Sequence, residues 1–216
     1  MKSYTQVGLV YTLKSWFDYT FLFNGSNKAN FIYTTDNIAL ISYVILTKTV
    51  FWVALASVLS RWWFGKKWIE VIGLKVWNKK TIFWAVLATI LSFWWVVIGL
   101  IVEPNTPKFN LGIINLRYIY FNFIGYSFTE EILFRGFIQS FLILHFNSKV
   151  SILIQSILFV LYHLCWWFFA GVYDFEGVIQ VFALGLIYGF IRYKSKSLWP
   201  SIFAHGIYDF TLGLIQ

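Results

Sequence analysis

Residues 129–135 read Thr-Glu-Glu-Ile-Leu-Phe-Arg, two adjacent carboxylates with an arginine four positions after the second, inside a stretch that is otherwise apolar. A carboxylate that can take a proton from water, beside a second anion and a fixed cation, is the raw material of general acid–base chemistry. Two further pairs follow at the same spacing, Phe159 with His163 and His205 with Asp209. Each residue of a helix turns the chain by about 100°, so residues four apart share a face. Glu131 is thus placed to neutralise Arg135 or to accept hydrogen bonds. Glu130 points about 140° away from Arg135 and is freer to face a cavity as base or ligand. The Phe159 ring is expected to pack on the His163 imidazole and limit its rotamers, and His205 and Asp209 face the same way and can pair.

The setting makes these charges informative. Of the 216 residues, 59% are hydrophobic, 23% aromatic and only 12% charged. A soluble domain is roughly half apolar and a quarter charged, so the composition excludes one and points to a polytopic membrane protein. An ionised side chain near the bilayer centre costs about 2.5 to 3.5 kcal/mol on insertion scales. Three of the nine acids and two of the three histidines nevertheless fall inside the last crossings. Convergence on one polar cavity accounts for this better than independent placement. Two histidines and a glutamate are also a ligand set for catalytic zinc, which keeps one position open for water. Glu130, His163 and His205 are the candidate ligands, and a metal-free site in which Glu130 polarises water directly is the alternative. The third histidine, His145, ends a helix and reads as an interfacial cap.

The elements that must position these groups are helices. About six transmembrane helices fit the length, in an all-α polytopic bundle, preceded by an N-terminal interfacial or additional crossing helix. Residues 1–36 form that segment, and residues 37–216 form one transmembrane domain. Crossings are expected at 37–60, 81–102, 116–145, 150–170 and 178–193, with a final helix opened by Leu198-Trp199-Pro200. Lysines and arginines gather between Arg61 and Lys80, at Lys149 and from Arg192 to Lys196. These mark the inner side, while loops 103–107 and 171–177 are outer. The net charge of +8 is therefore topology signal and lipid contact, not a nucleic-acid surface. Gly185 and Gly189 form a small-xxx-small pair for close helix packing. Cys165, in an apolar run, reads as packing filler. No cleaved signal peptide is expected.

Depth along the helices raises one conflict. At about 1.5 Å per residue, Glu131 and His163 lie about 21 and 20 Å from their inner ends, but His205 only about 10 Å from Leu198. A shared site requires the last helix to tilt or to begin deeper than the others.

Glu130-Glu131-xxx-Arg135, Phe159-xxx-His163 and His205-xxx-Asp209, with Phe134-Arg135-Gly136 and Ser197-Leu198-Trp199-Pro200-Ser201 around them, resemble the ordered motifs of the CPBP intramembrane protease family, also called the CAAX protease and bacteriocin-processing or Abi family. The resemblance spans about residues 112–215. It implies an all-helical membrane fold whose cavity admits peptide and water to buried glutamate and histidines. In it Glu130 would activate water for attack on an amide, assisted by His163. His205 and the residue at 209 would bind metal or stabilise the oxyanion, and Arg135 would hold Glu131 and the helix. Many members carry asparagine where this chain has Asp209, and an ionised carboxylate cannot donate to an oxyanion. Asp209 is then protonated, a metal ligand, or a carboxylate that orients His205, the last being the favoured role.

The implied protein is a multi-pass intramembrane endopeptidase of a bacterial plasma membrane. Its partners would be a membrane-associated peptide or lipidated protein as substrate, the lipid bilayer and another membrane protein. Participation in lipoprotein N-acylation by acyl transfer, and a non-enzymatic immunity or scaffold role, are the alternatives.

Overall fold

The computed structural model describes residues 49–102, 109–170 and 175–215. The expected N-terminal segment, the first half of the first expected crossing, the loop at 103–107 and residues 171–174 lie outside this description. The described residues are all-helical, with one isolated bridge between Phe109 and Ile215. The helices are α1 (Trp52–Phe64), α2 (Trp68–Val71), α3 (Lys79–Ser92), α4 (Trp94–Val102), α5 (116–143), α6 (Ser148–Ala170), α7 (Phe175–Ser195) and α8 (Trp199–Leu214). Three stretches, Lys79–Ile98, Ser148–Cys165 and Phe175–Ser195, are long and apolar enough to cross a membrane.

Asparagines start several of these helices, since a short side-chain amide can accept from the first unpaired backbone N–H groups. Asn78 and Thr81 form a reciprocal capping box at α3, Asn115 accepts from Tyr118 N at 2.9 Å, and Asn147 accepts from Val150 N at 3.1 Å. The expected crossing at 81–102 divides at Phe93 into α3 and α4. Phe175, Glu176 and Gly177, expected in an outer loop, already belong to α7. Cys165 is exposed rather than packed, because on an apolar helix a thiol suits a lipid-facing position as well as a core.

The depth conflict is resolved at the inner end of the bundle. Segment 71–78 folds across the starts and ends of three helices. Arg192 Nη2 donates to Val71 O at 2.6 Å, Trp199 Nε1 to Leu74 O at 2.9 Å, Ser197 Oγ to Val76 O at 2.6 Å and Leu198 N to Gly73 O at 3.0 Å. Leu198 is fully buried and Pro200 and Ser201 are buried with it, so α8 starts inside the protein. Its first residues are already at depth, which brings His205 level with Glu131. All of these joined segments carry the basic residues assigned to one side, so the charge pattern and the packing agree. On the exposed part of this loop the Lys75 ammonium donates to Glu70 at 2.8 Å and holds its carboxyl below the usual range.

Helix α5 is not a regular α-helix. It winds as a π-helix over Phe121–Phe128 and again over Ile132–Ile138, on either side of Thr129–Glu131. Ser127 donates to Phe123 O at 2.9 Å, and Thr129 to Gly125 O at 2.8 Å and Tyr126 O at 2.9 Å. Such hydroxyl back-bonding competes for the carbonyls of the preceding turn, which favours a widened winding. Wide turns of this kind occur mostly at functional sites.

Helices α6 and α7 pack at Gly185, where an added Cβ would lie 3.0 Å from Ser156 Cβ and 3.2 Å from its Cα. The neighbour is backbone and cannot swing away. Gly185→Ala is expected to destabilise the protein by about 1 to 3 kcal/mol through overpacking. Unfolding in mixed micelles, compared with Gly112→Ala on the exposed outer turn, measures this.

Candidate active site

Helix α5 brings Glu130, Glu131 and Arg135 into the bundle, and all three are buried. Arg135 Nη1 lies 2.9 Å from Glu131 Oε1, with both side chains wholly excluded from solvent. The guanidinium is sandwiched by aromatic faces, 4.2 Å from the Phe159 centroid on α6 and 5.4 Å from that of Tyr188 on α7. A desolvated cation on two ring faces gains from their quadrupoles as well as from its ion pair.

His205, from α8, completes a chain of charges. Its Nδ1 contacts the same Glu131 Oε1 at 3.0 Å, so one carboxylate oxygen joins arginine and histidine. Its Nε2 faces Asp209 Oδ2 at 3.3 Å and Glu130 Oε2 at 4.0 Å. The ring stacks on Tyr188, with centroids 5.3 Å apart at 26°, and Tyr188 in turn hydrogen-bonds Ser92 of α3 at 3.1 Å. The carboxylates of Glu131 and Asp209 and the aromatic plane of Tyr188 therefore fix the His205 rotamer from three sides. Asp209 pairs with His205 as the spacing predicts, but on Nε2. The carboxylate that holds Nδ1 is Glu131, a contact that the helical wheel of α5 alone does not contain.

His163 Nδ1–H donates to Phe159 O at 2.8 Å, since a carbonyl only accepts, and this puts the basic lone pair on Nε2. The Phe159 ring lies 4.6 Å from the His163 ring and 6.1 Å from that of His205, so it separates and orders the two imidazoles. Tyr162 donates to Glu130 Oε1 at 3.4 Å. The sequence-selected residues are thus gathered around one point: Glu130, Glu131, Arg135, His205 and Asp209 by direct polar contact, and Phe159 and His163 by ring packing. Tyr162 and Tyr188 were not among them. Their signal was available, since a tyrosine inside an apolar crossing must find a partner for its hydroxyl.

Exposure rises from Glu131, wholly buried, through Glu130 and His205 at 7% to Asp209 at 24%. The site opens on the Asp209 side. Among the described residues no three His, Cys, Asp or Glu side chains are arranged to hold a metal ion. The candidate zinc ligands Glu130, His163 and His205 are not gathered as such a group: His205 Nε2 faces Asp209 Oδ2 at 3.3 Å and Glu130 Oε2 at 4.0 Å.

Buried and half-buried carboxylates and imidazoles from separate helices thus meet inside an all-helical, multi-pass membrane protein. Residues 112–211 match the family described as Rce1-like, type II CAAX prenyl endopeptidase. That span, 100 of the 216 residues, holds every charged group of the site, and the match supports the CAAX (CPBP) protease family. No curated protein and no solved structure matches the chain.

Proposed function

We propose that this protein is an intramembrane endopeptidase that hydrolyses an amide bond of a membrane-associated peptide or lipidated protein, with Glu130 as general base. The observation that carries the reading is the 4.0 Å gap between Glu130 Oε2 and His205 Nε2 inside a buried site. Glu131 is engaged by Arg135 at 2.9 Å and His205 at 3.0 Å, whereas Glu130 Oε2 faces His205 Nε2 across 4.0 Å. That gap is too long for a direct hydrogen bond and is one that a water molecule can bridge.

In the reaction the Glu130 carboxylate takes a proton from water as the water oxygen bonds to the scissile carbonyl carbon. Negative charge then develops on the carbonyl oxygen, for which the His205 Nε2–H is the donor at hand, while the lone pair of His163 Nε2 can accept from the attacking water. The C–N bond breaks, and Glu130 returns its proton to the leaving amine. Tyr162 holds the other oxygen of Glu130, while Glu131 and Asp209 keep His205 in place. Substrate enters from the Asp209 side, where the site is most exposed. The family's description names prenylated CAAX-type chains, which are lipidated proteins; a bacterial plasma membrane and a peptide precursor are the setting proposed for this chain.

Purified protein in liposomes, mixed with a pooled library of membrane-tethered peptides, tests the reading. New termini are expected by mass spectrometry, and their absence for every peptide would refute it. Dialysis against a chelator is expected to leave the rate unchanged, and loss with recovery on adding zinc would overturn the metal-free form.

A further inference from the structure

One helical turn inward of Arg135, and about two turns inward of the carboxylates, the bundle carries a second buried polar layer with no part in the proposed chemistry. Gln139 follows Arg135 by four residues on α5, Gln155 precedes Phe159 by four on α6, and Gly189 follows Tyr188 on α7. Gln139 Nε2 donates to Gly189 O at 2.8 Å. Gln155 Nε2 donates to Gly185 O at 2.9 Å and to Ser156 Oγ at 2.8 Å. The missing Cβ of Gly189 lets both amides in: at that point Gln155 Nε2 would be 2.7 Å away and Gln139 Oε1 3.4 Å, so these two atoms lie within about 6 Å of each other.

These bonds satisfy the amide nitrogens and leave the oxygens. Among the described residues, Gln139 Oε1 and Gln155 Oε1 are buried without a donor, and Arg135 Nε and Nη2 are buried without an acceptor. The three side chains are at most 1% exposed. A buried polar group left unmatched costs about 1 to 3 kcal/mol, and here acceptors and donors go unmatched in neighbouring turns of the same seam.

The chemistry of the lining selects the occupant. A cation would be repelled by the guanidinium, and an anion by two amide oxygens and Glu131. An apolar group would satisfy nothing. Water accepts from Arg135 and donates to both amides, and a helical turn of about 5.4 Å is a span that one bridging molecule covers. Polar residues continue the seam inward on α6 through Ser151, which donates to Asn147 O at 3.0 Å, and Asn147 lies at the exposed inner end.

We propose that Arg135, Gln139 and Gln155 form a binding site for ordered water between α5, α6 and α7, on the inward side of Arg135, in exchange with the inner surface. The site fixes the guanidinium on its inward side as Glu131 does on the other. It stands independently of which bond the enzyme breaks.

Hydroxyl-radical footprinting of the full chain in nanodiscs tests this, because radicals formed from internal water oxidise the side chains beside it. Phe159 and Tyr188, 2% and 0% exposed, line the layer, while Phe121, at 1%, is equally buried elsewhere. Several-fold faster oxidation of Phe159 and Tyr188 than of Phe121 is expected. Gln139→Leu and Gln155→Leu, which nearly keep the volume without adding an oxidisable sulfur, are expected to slow it at both rings. Labelling no faster than at Phe121 in the unmutated protein would overturn the site without recourse to any variant. Unchanged labelling in folded variants would assign the water to the cavity around Glu130 and would equally overturn it.

Discussion

Glu130→Gln is expected to lower kcat/KM by about 10²- to 10⁴-fold, the contribution of a positioned general base, while leaving the fold intact. The substitution keeps the shape of the side chain and an oxygen for Tyr162, which donates to Oε1 at 3.4 Å. It removes the one property the mechanism uses, the ability to take a proton. His205 Nε2 lies 4.0 Å from Glu130 Oε2, so neutralising the carboxylate breaks no direct hydrogen bond to that imidazole. Initial rates in liposomes at matched protein incorporation, with thermal unfolding of both forms, separate loss of chemistry from loss of structure. A rate unchanged in folded Glu130→Gln protein would remove Glu130 from the reaction.

Arg135→Met is expected to act in the opposite sense, on stability first. Glu131 and Arg135 are both wholly excluded from solvent, and their contact at 2.9 Å is the principal neutralisation of a carboxylate inside the bilayer. Removing one partner of a buried pair typically costs about 3 to 5 kcal/mol, because the remaining charge is left uncompensated. His205 at 3.0 Å lessens the penalty but cannot remove it, since its other nitrogen already faces Asp209. Arg135→Lys is expected to rescue poorly: an ammonium cannot lie flat between Phe159 and Tyr188 as a guanidinium does. Adding Glu131→Gln to Arg135→Met should recover part of the loss, because no orphan charge then remains. Unfolding free energies of the two single variants and the double variant give the coupling directly. Additive losses would mean that the pair does not hold the site together.

The contrast between these two variants follows from positions that the sequence already separated. The different duties of Glu130 and Glu131 were legible because i and i+4 share a helical face and adjacent residues do not. So were the pairing of His205 with Asp209 and the packing of Phe159 on His163, each a contact within one helix. The link from Glu131 to His205 was not legible. It joins α5 to α8, and its reach depends on α8 beginning inside the protein beneath segment 71–78, which no periodicity encodes. The π-helical winding of α5 was hidden for a related reason: a stretch apolar on nearly every side has no stripe whose drift would reveal a change of pitch. Tyr188 was passed over because its partners, Ser92, Arg135 and His205, come from three other helices. Helix boundaries set by asparagine caps were read to within a few residues. The acidic Asp174-Phe175-Glu176 run misled, because an acidic residue in a first helical turn looks in sequence like part of the loop before it.

The central claim is that water, activated at Glu130, is added across an amide bond within the membrane. Its most direct measurement is the isotopic content of the products when the reconstituted protein processes tethered peptides in water enriched in oxygen-18. Hydrolysis predicts one heavy oxygen in the new C-terminal carboxyl group and none in the amine fragment, with the label lost together with the product in Glu130→Gln. A transferred acyl group that carries no heavy oxygen, or labelled product formed at the full rate by the Glu130→Gln protein, would contradict it.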